Sequence, residues 1–322
     1  MKRLLTTLAA LAALAIPAAA QEMRTFTDAL GREVEIPVDP QRIIAIHDLT
    51  ITMPLVELGA PVVGSHGRVR DDGSTYLRSV NTIFNVDFDN SDIEFVGAFN
   101  QMDFEAMAAL DPDLIIARAP WDEEIREQLE IVGPTVYVAD VPEPFETYRQ
   151  IADAAGMLPE FEARLGDYDA LIEDARNWAP QLQGASYSKI QGYDGILWVA
   201  AGYGGLTQVL HALGMERTDF AQAMADRGVV WGEEVSAEVL PELEADYIFD
   251  TYRIDQDDTP QKAFDRLSDV FPGWCDLLSG CAQGRYILVP REHTGSTFRE
   301  LEMLVHYVVS HTAGRPSISA PE

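Results

Sequence analysis

Arginines and aromatic residues gather where the apolar runs of this sequence end. Arg68 and Arg70 follow "APVVGSHG", and Arg118 follows "DLIIA" with Trp121 three residues on. Tyr203 follows "ILWVAA", and Tyr252 and Arg253 close "YIFDTYR". Arg291 and His293 follow "YILVP", with Phe298 and Arg299 just beyond. The chain holds only 23 Lys+Arg, so this clustering is uneven. A guanidinium offers a planar fork of donors that fits carboxylate, catecholate and hydroxamate oxygens, and aromatic rings supply flat apolar walls. The chemistry within reach is the binding of a bulky, oxygen-rich anion. About half of these arginines are expected to pair with surface acids instead. Trp198 and Trp231 stand where they would report on the same cleft.

Bond-making chemistry has no comparable footing. The sequence has no Gly-x-Ser-x-Gly elbow, no phosphate-cradling Gly-Lys-Ser/Thr loop and no His-Glu-x-x-His helix. "GYGG" at 202–205 follows a strand and opens a helix, but as a nucleotide fingerprint it is incomplete. The six histidines stand at 47, 66, 211, 293, 306 and 311. His47, His66 and His293 fall near strand ends without close pairing, so no direct metal site is expected. The expectation is a binder, not an enzyme, with no cofactor of its own.

Two acids form a further pair. In "QMDFEAMAALDPDLIIARAP", Asp103 can cap a helix, Phe104, Met107 and Leu110 give it one apolar face, and Glu105 lies in its first turn. "VSAEVLPELEADYIFDTYR" aligns with this stretch without a gap at an offset of 133 residues. Ser236 replaces Asp103, Glu238 matches Glu105, Leu240 matches Met107, and Asp246 matches Asp113. An acid in a first turn complements the helix dipole, and with 53 Asp+Glu a chance match is common. The duplicated framework raises the pair above that background.

The elements that position these residues alternate between strand and helix, which means parallel sheet. "TFTDALGREVEIP" reads as a hairpin. "QRIIAIHDLTITMPLVELGAPVVGSHGRV" reads as strand, helix, strand, with Gly59 at the helix end. Residues 143–182 carry almost no strand signal, and "LPEFEARLGDYDALIEDARNWAPQL" reads as one long helix ended by Pro180. The plan then restarts at "GILWVAAGYGGLTQVLHALG". The predicted fold is α/β, two lobes with parallel-rich sheets flanked by helices and bridged by one long helix. Residues 21–157 form the first lobe, 158–182 the bridge and 183–322 the second lobe. Ligands of such sheets bind beyond the carboxyl ends of the strands, here in a cleft between lobes.

"MKRLLTTLAALAALAIPAAAQE" reads as a cleaved signal peptide, residues 1–20, with cleavage after Ala20. No cysteine lies near that point, so no lipid anchor is expected, and the compartment is the periplasm. An oxidising compartment permits a Cys275–Cys281 disulfide; two free buried thiols are the alternative. The 322 residues hold 53 Asp+Glu against 23 Lys+Arg, a net charge of −30. Such a surface repels nucleic acid and anionic membranes.

"TFTDALGREVEIPVDPQRIIAI", "DFEAMAALDPDLIIA", its echo "VSAEVLPELEADYIF" and "GWCDLLSGCAQGRYILV" together resemble the periplasmic substrate-binding proteins of iron-siderophore and cobalamin ABC importers. The resemblance covers nearly the whole mature chain. It implies two lobes on a rigid helix, a shallow cleft and small domain motion. It also implies that Glu105 and Glu238 engage arginines on the two subunits of an inner-membrane permease dimer. Asp103-Phe104 departs from the family's common Asn-Leu at that point but leaves the helix cap intact. By the same resemblance the partner is a small-molecule iron chelate, a ferric siderophore bound by a monomer, with the iron held only through its chelator. Haem or cobalamin is the alternative cargo, and His47 or Tyr203 would be the axial ligand for haem. The ligand-binding residues expected are His47, Arg68, Arg70, Arg118, Trp121, Tyr203, Trp231, Tyr252, Arg253, His293 and Arg299.

Overall fold

The computed structural model describes residues 21–98, 101–119, 122–139 and 144–313. The expected signal peptide and Trp121 lie outside the described residues.

The two apolar sheets each organise one lobe. The first runs, edge to edge, Gln101–Met102, Glu94–Ala98, Val62–Val69, Ile43–Ile46, Leu114–Arg118 and Thr135–Val138, with Thr75–Tyr76 paired to Val62–Val69. The five strands from Glu94–Ala98 to Thr135–Val138 are parallel. Ile43–Ile46 is buried at every residue, as a strand covered on both faces must be. The helix Met53–Leu58 returns the chain, and Gly59 ends it at φ 76, donating to the Leu55 and Val56 carbonyls.

In the second sheet Ser186–Tyr193, Tyr247–Tyr252 and Tyr286–Pro290 run parallel. Ile196–Ala200 and Gly232–Val235 continue it antiparallel. Ser186–Tyr193 is a strand that the sequence pattern did not single out. Its polar residues Ser188 and Lys189 are buried, with partners far along the chain at Leu243 and Asp250, which hides its buried character from composition.

The internal repeat has a structural counterpart. Asp113, before Leu114–Arg118, accepts the backbone N–H of Gln41 at 2.7 Å and of Arg42 at 2.9 Å. Asp246, before Tyr247–Tyr252, accepts the Ser186 N–H at 2.8 Å. Each aspartate thus fastens the start of the neighbouring strand in its own lobe. The repeat is not uniform in helix type: Phe104–Ala109 is α-helical, but Ala237–Leu243 is a tighter 3-10 turn containing Pro241. Proline lacks the N–H that the α-helix needs there.

Leu158–Trp178 is the long helix between the sheets, with Phe161, Tyr168, Ile172 and Ala175 buried. Its apolar face packs on the terminal helix Phe298–Thr312 in a core that also takes in Tyr148 and Leu58 of the first lobe. Phe298 is the hub. Its ring lies 5.3 Å from Phe145, 5.2 Å from Tyr148 and 5.3 Å from Phe161. Burying one such phenylalanine contributes roughly 1.5–3 kcal/mol, so the lobes share a substantial apolar joint.

Cys275 and Cys281 are joined by a disulfide. It fastens the short helices Trp274–Leu277 and Ser279–Ala282 to each other.

Candidate functional site

Between the lobes lies a cavity of about 320 Å³. The first lobe gives it Leu49, Thr50, Met53 and Pro54, from the turn and helix after Ile43–Ile46, with Arg78 and Tyr148. The second gives it Tyr203, Trp231, Arg253, Arg291 and the stretch Thr294–Thr297 with Glu300. A smaller hollow of about 210 Å³ adjoins it, lined by Gln191, Tyr193, Ile196, Trp198 and Glu234. Tyr203 and Arg291 wall both, so the two are one continuous cleft.

On the first-lobe side the electrostatics centre on Asp48, 2% exposed. Arg78 forks onto its carboxylate, Nε to Oδ2 at 2.9 Å and Nη2 to Oδ1 at 2.6 Å. Arg68 Nε is 3.6 Å from Oδ2. Burial pushes the Asp48 carboxyl up, but the Arg78 fork, with His47 and Arg68, outweighs it and holds the group below its ordinary value. His47 is buried; its Nδ1 accepts the Thr50 N–H at 2.9 Å. Arg118 Nη1 lies 2.9 Å from its Nε2. Burial first, and then the Arg118 charge, lowers His47 to about 3, so it is neutral at neutral pH. Arg78 and Arg68 thus share one carboxylate, and Arg118 sits on the neighbouring His47.

The opposite wall is mixed. Arg253 forks onto Asp255, at 3.1 and 2.9 Å. The Glu292 carboxylate accepts the N–H groups of Ile254 and Asp255 at 3.2 and 3.3 Å, holding the loop after Tyr247–Tyr252 in place. Thr297 and Glu300 form a capping box at the start of the terminal helix. Burial pushes Glu300 up to about 7. Arg291 is exposed into the cleft.

The "GYGG" turn has a packing role. Gly205 donates to the Thr294 carbonyl at 2.9 Å, and a Cβ on Gly205 would collide with the Gly295 carbonyl. Its glycines let two backbone segments touch, which accounts for them without a phosphate.

Of the expected ligand residues, Tyr203, Trp231 and Arg253 line the cavity; His47, Arg68 and Arg118 line neither hollow, Arg68 reaching Asp48 and Arg118 sitting on His47 beside it. Four more line neither hollow. Arg70 stacks on Tyr76 at 4.1 Å, because the strand ends at Val69 and the following turn carries Arg70 outward. Arg299 lies over the Phe84 ring at 5.4 Å. Tyr252 hydrogen-bonds Tyr307, and burial followed by that neighbour pushes its phenol up to about 12. His293 packs edge-on against Tyr307, 6.4 Å between ring centres. Arg78, Tyr148, Glu292 and Glu300 are cavity residues that sequence reasoning missed. Only Glu300 left a readable signal, the Thr-x-x-Glu box at 297–300. As for the haem alternative, the Tyr203 hydroxyl is 3.2 Å from Thr251 Oγ1, and both ring nitrogens of His47 are in contact. Among the described residues no group of three or more His, Cys, Asp or Glu comes together to hold a metal ion.

Glu105 and Glu238 are both exposed, and neither carboxylate pairs with another described residue. Asp103 caps the first helix by accepting the Ala106 N–H at 2.9 Å. Ser236 accepts the Glu238 N–H at 3.3 Å.

A model of the periplasmic binding protein family matches residues 74–266. The chain belongs to the periplasmic binding protein family. YfiY of Bacillus subtilis, described as a probable siderophore-binding lipoprotein, is 25% identical over 241 residues, 72% of this chain and 70% of YfiY. YxeB of the same organism, an iron(3+)-hydroxamate-binding protein, is 27% identical over 243 residues, 71% of this chain and 67% of YxeB. The fold matches that of Staphylococcus aureus SirA, solved with staphyloferrin B, at a TM-score of 0.73 and 21% identity over 90% of this chain and 98% of SirA. In this periplasmic binding protein no described helix is long and apolar enough to cross a membrane.

Proposed function

We propose that this chain captures a ferric siderophore in the inter-lobe cleft and delivers it, unchanged, to the permease of an ABC importer. The observation that carries this reading is a cleft walled by Arg78, Arg253 and Arg291 together with Tyr203 and Trp231. Guanidinium forks and flat rings suit an oxygen-rich anion, and the relatives YfiY and YxeB carry siderophore- and iron(3+)-hydroxamate-binding names. The chain acts outside the cytoplasm, a compartment compatible with the Cys275–Cys281 bridge. Its two lobes are residues 21–157 and 183–322, with 158–182 as the bridge. The exposed Glu105 and Glu238 are its two contacts with the permease.

A tryptophan-fluorescence titration against ferric hydroxamates, ferric catecholates, ferric citrate, haemin and cobalamin tests the cargo. Saturable binding of a ferric chelate is expected. Binding of haemin alone, with a Soret shift, or of cobalamin alone would replace the reading.

A further inference from the structure

Lys189 and Asp250 form an ion pair at 3.2 Å, with side chains 1% and 0% exposed. The ammonium also donates to the Ile190 carbonyl at 3.1 Å, and the second oxygen of Asp250 accepts the Tyr286 hydroxyl at 2.8 Å. Withdrawing two charges from water costs several kcal/mol, and apolar residues of similar size often serve a sheet as well. The arrangement calls for a use of the charge itself.

The position of the ammonium supplies one. Nζ lies 4.6 Å from the Tyr203 ring centre and 5.8 Å from that of Trp198. Those rings meet edge to face, 6.0 Å apart at 67°, and both wall the smaller hollow. Lys189 is buried behind this corner and lines neither hollow. Asp250 reaches instead toward Tyr286, so the positive end of the pair is the one against the rings. A cation behind a ring draws π density toward itself, and in a low-dielectric setting its field carries through. The open faces of Tyr203 and Trp198 are thereby made favourable to an electron-rich, negatively charged group. Arg291, which walls both hollows, adds a second cation at their junction and offsets the Glu234 carboxylate that also lines the smaller one.

We propose that the smaller hollow is a second subsite for an anionic aryl arm of the cargo, of catecholate type, and that Lys189 is a positioning residue that sets this preference through Tyr203 and Trp198. This rests on the reading of the cleft as a chelate site.

The test uses Lys189→Met/Asp250→Asn, which removes both charges and leaves no orphaned acid. The probes are the ferric complex of 2,3-dihydroxybenzoate, anionic and aryl, and ferrioxamine B, cationic and without a ring. The ratio of affinities, aryl over cationic, is expected to fall about tenfold. A ratio that stays within twofold overturns the proposal, whether or not both affinities drop. Lys189→Arg, which keeps the charge, is expected to retain the ratio. A second measurement needs no chelate: iodide and caesium quenching of the fluorescence lost in Trp198→Phe, in the native chain and in the double variant. Iodide is expected to quench that share more strongly in the native chain and to lose much of that preference in the double variant; an unchanged preference overturns the proposal. If the native chain binds neither chelate, the cargo reading fails while the quenching still decides the role of Lys189.

Discussion

Glu57 of the first lobe accepts the backbone N–H of Phe298, 241 residues away in the second, at 2.9 Å. The same oxygen accepts the Tyr148 hydroxyl at 2.6 Å, and the other accepts the Arg299 N–H at 2.6 Å. One carboxylate therefore caps the terminal helix from outside its own lobe, at the end where the helix dipole favours negative charge.

Removing that cap should loosen the joint. Glu57→Ala strands two backbone donors and leaves the Tyr148 phenol only the Pro54 carbonyl, at 3.3 Å, and is expected to destabilise the protein by about 2 kcal/mol. Urea unfolding measures it. A loss below about 1 kcal/mol would mean that water replaces the carboxylate at little cost.

Acid should stabilise the same region. Glu300 has an ordinary value of 4.5 and is pushed up to about 7 by burial, with Glu57 adding to the shift. Between these values the folded chain keeps the proton that the unfolded chain has already lost. Stability therefore falls as pH rises from about 4.5 to about 7, by roughly 3 kcal/mol from this group at most, and then levels off. Glu300→Gln keeps the capping geometry without the titration. Unfolding curves at pH 5 and pH 8 should differ less for the variant than for the native chain; an equal difference would sink the assignment.

Arg291 and Arg78 should separate binding from folding. Arg291→Ala is expected to weaken a bound ferric chelate at least tenfold, about 1.4 kcal/mol, with Tm unchanged. Arg78→Ala should lower both affinity and Tm, because it leaves the buried Asp48 without its fork. Calorimetric titration and thermal melts distinguish the two; a Tm loss for Arg291→Ala matching that of Arg78→Ala would make both arginines structural.

Delivery should be separable from capture. Glu105→Ala with Glu238→Ala is expected to leave chelate affinity intact and stop uptake in cells, since both side chains are exposed and unpaired within the described chain. The helix-dipole loss at Glu105 is small, about 0.3–1 kcal/mol. Undiminished uptake by the double variant would remove these acids from the docking surface.

The alternation of strand and helix was legible because it depends on local periodicity, and so was the repeat, since Asp113 and Asp246 repeat one task in two lobes. The site was legible in part. Tyr252 ends its strand and turns to Tyr307, whereas Arg253, the first residue of the following loop, faces the cleft. Arg78 was hidden because it sits in a polar loop between residues 71 and 94. Only the folding of that loop over Asp48 brings its guanidinium to the cavity wall. Lys189 was hidden for the opposite reason: it reads as a surface charge in "SYSKIQGY" until Asp250, far along the chain, supplies its partner.

The shared aromatic joint around Phe298 limits how this molecule can announce that it is full. Halves glued through Phe145, Tyr148, Phe161 and Phe298 cannot swing like a hinged shell without tearing that joint open. Loaded and empty forms should have nearly the same outline, and solution scattering should give superimposable curves. A receiving machine at the membrane would then have to sense the lip of a cup, through the charge and contour that the cargo itself adds there, instead of the closing of a jaw.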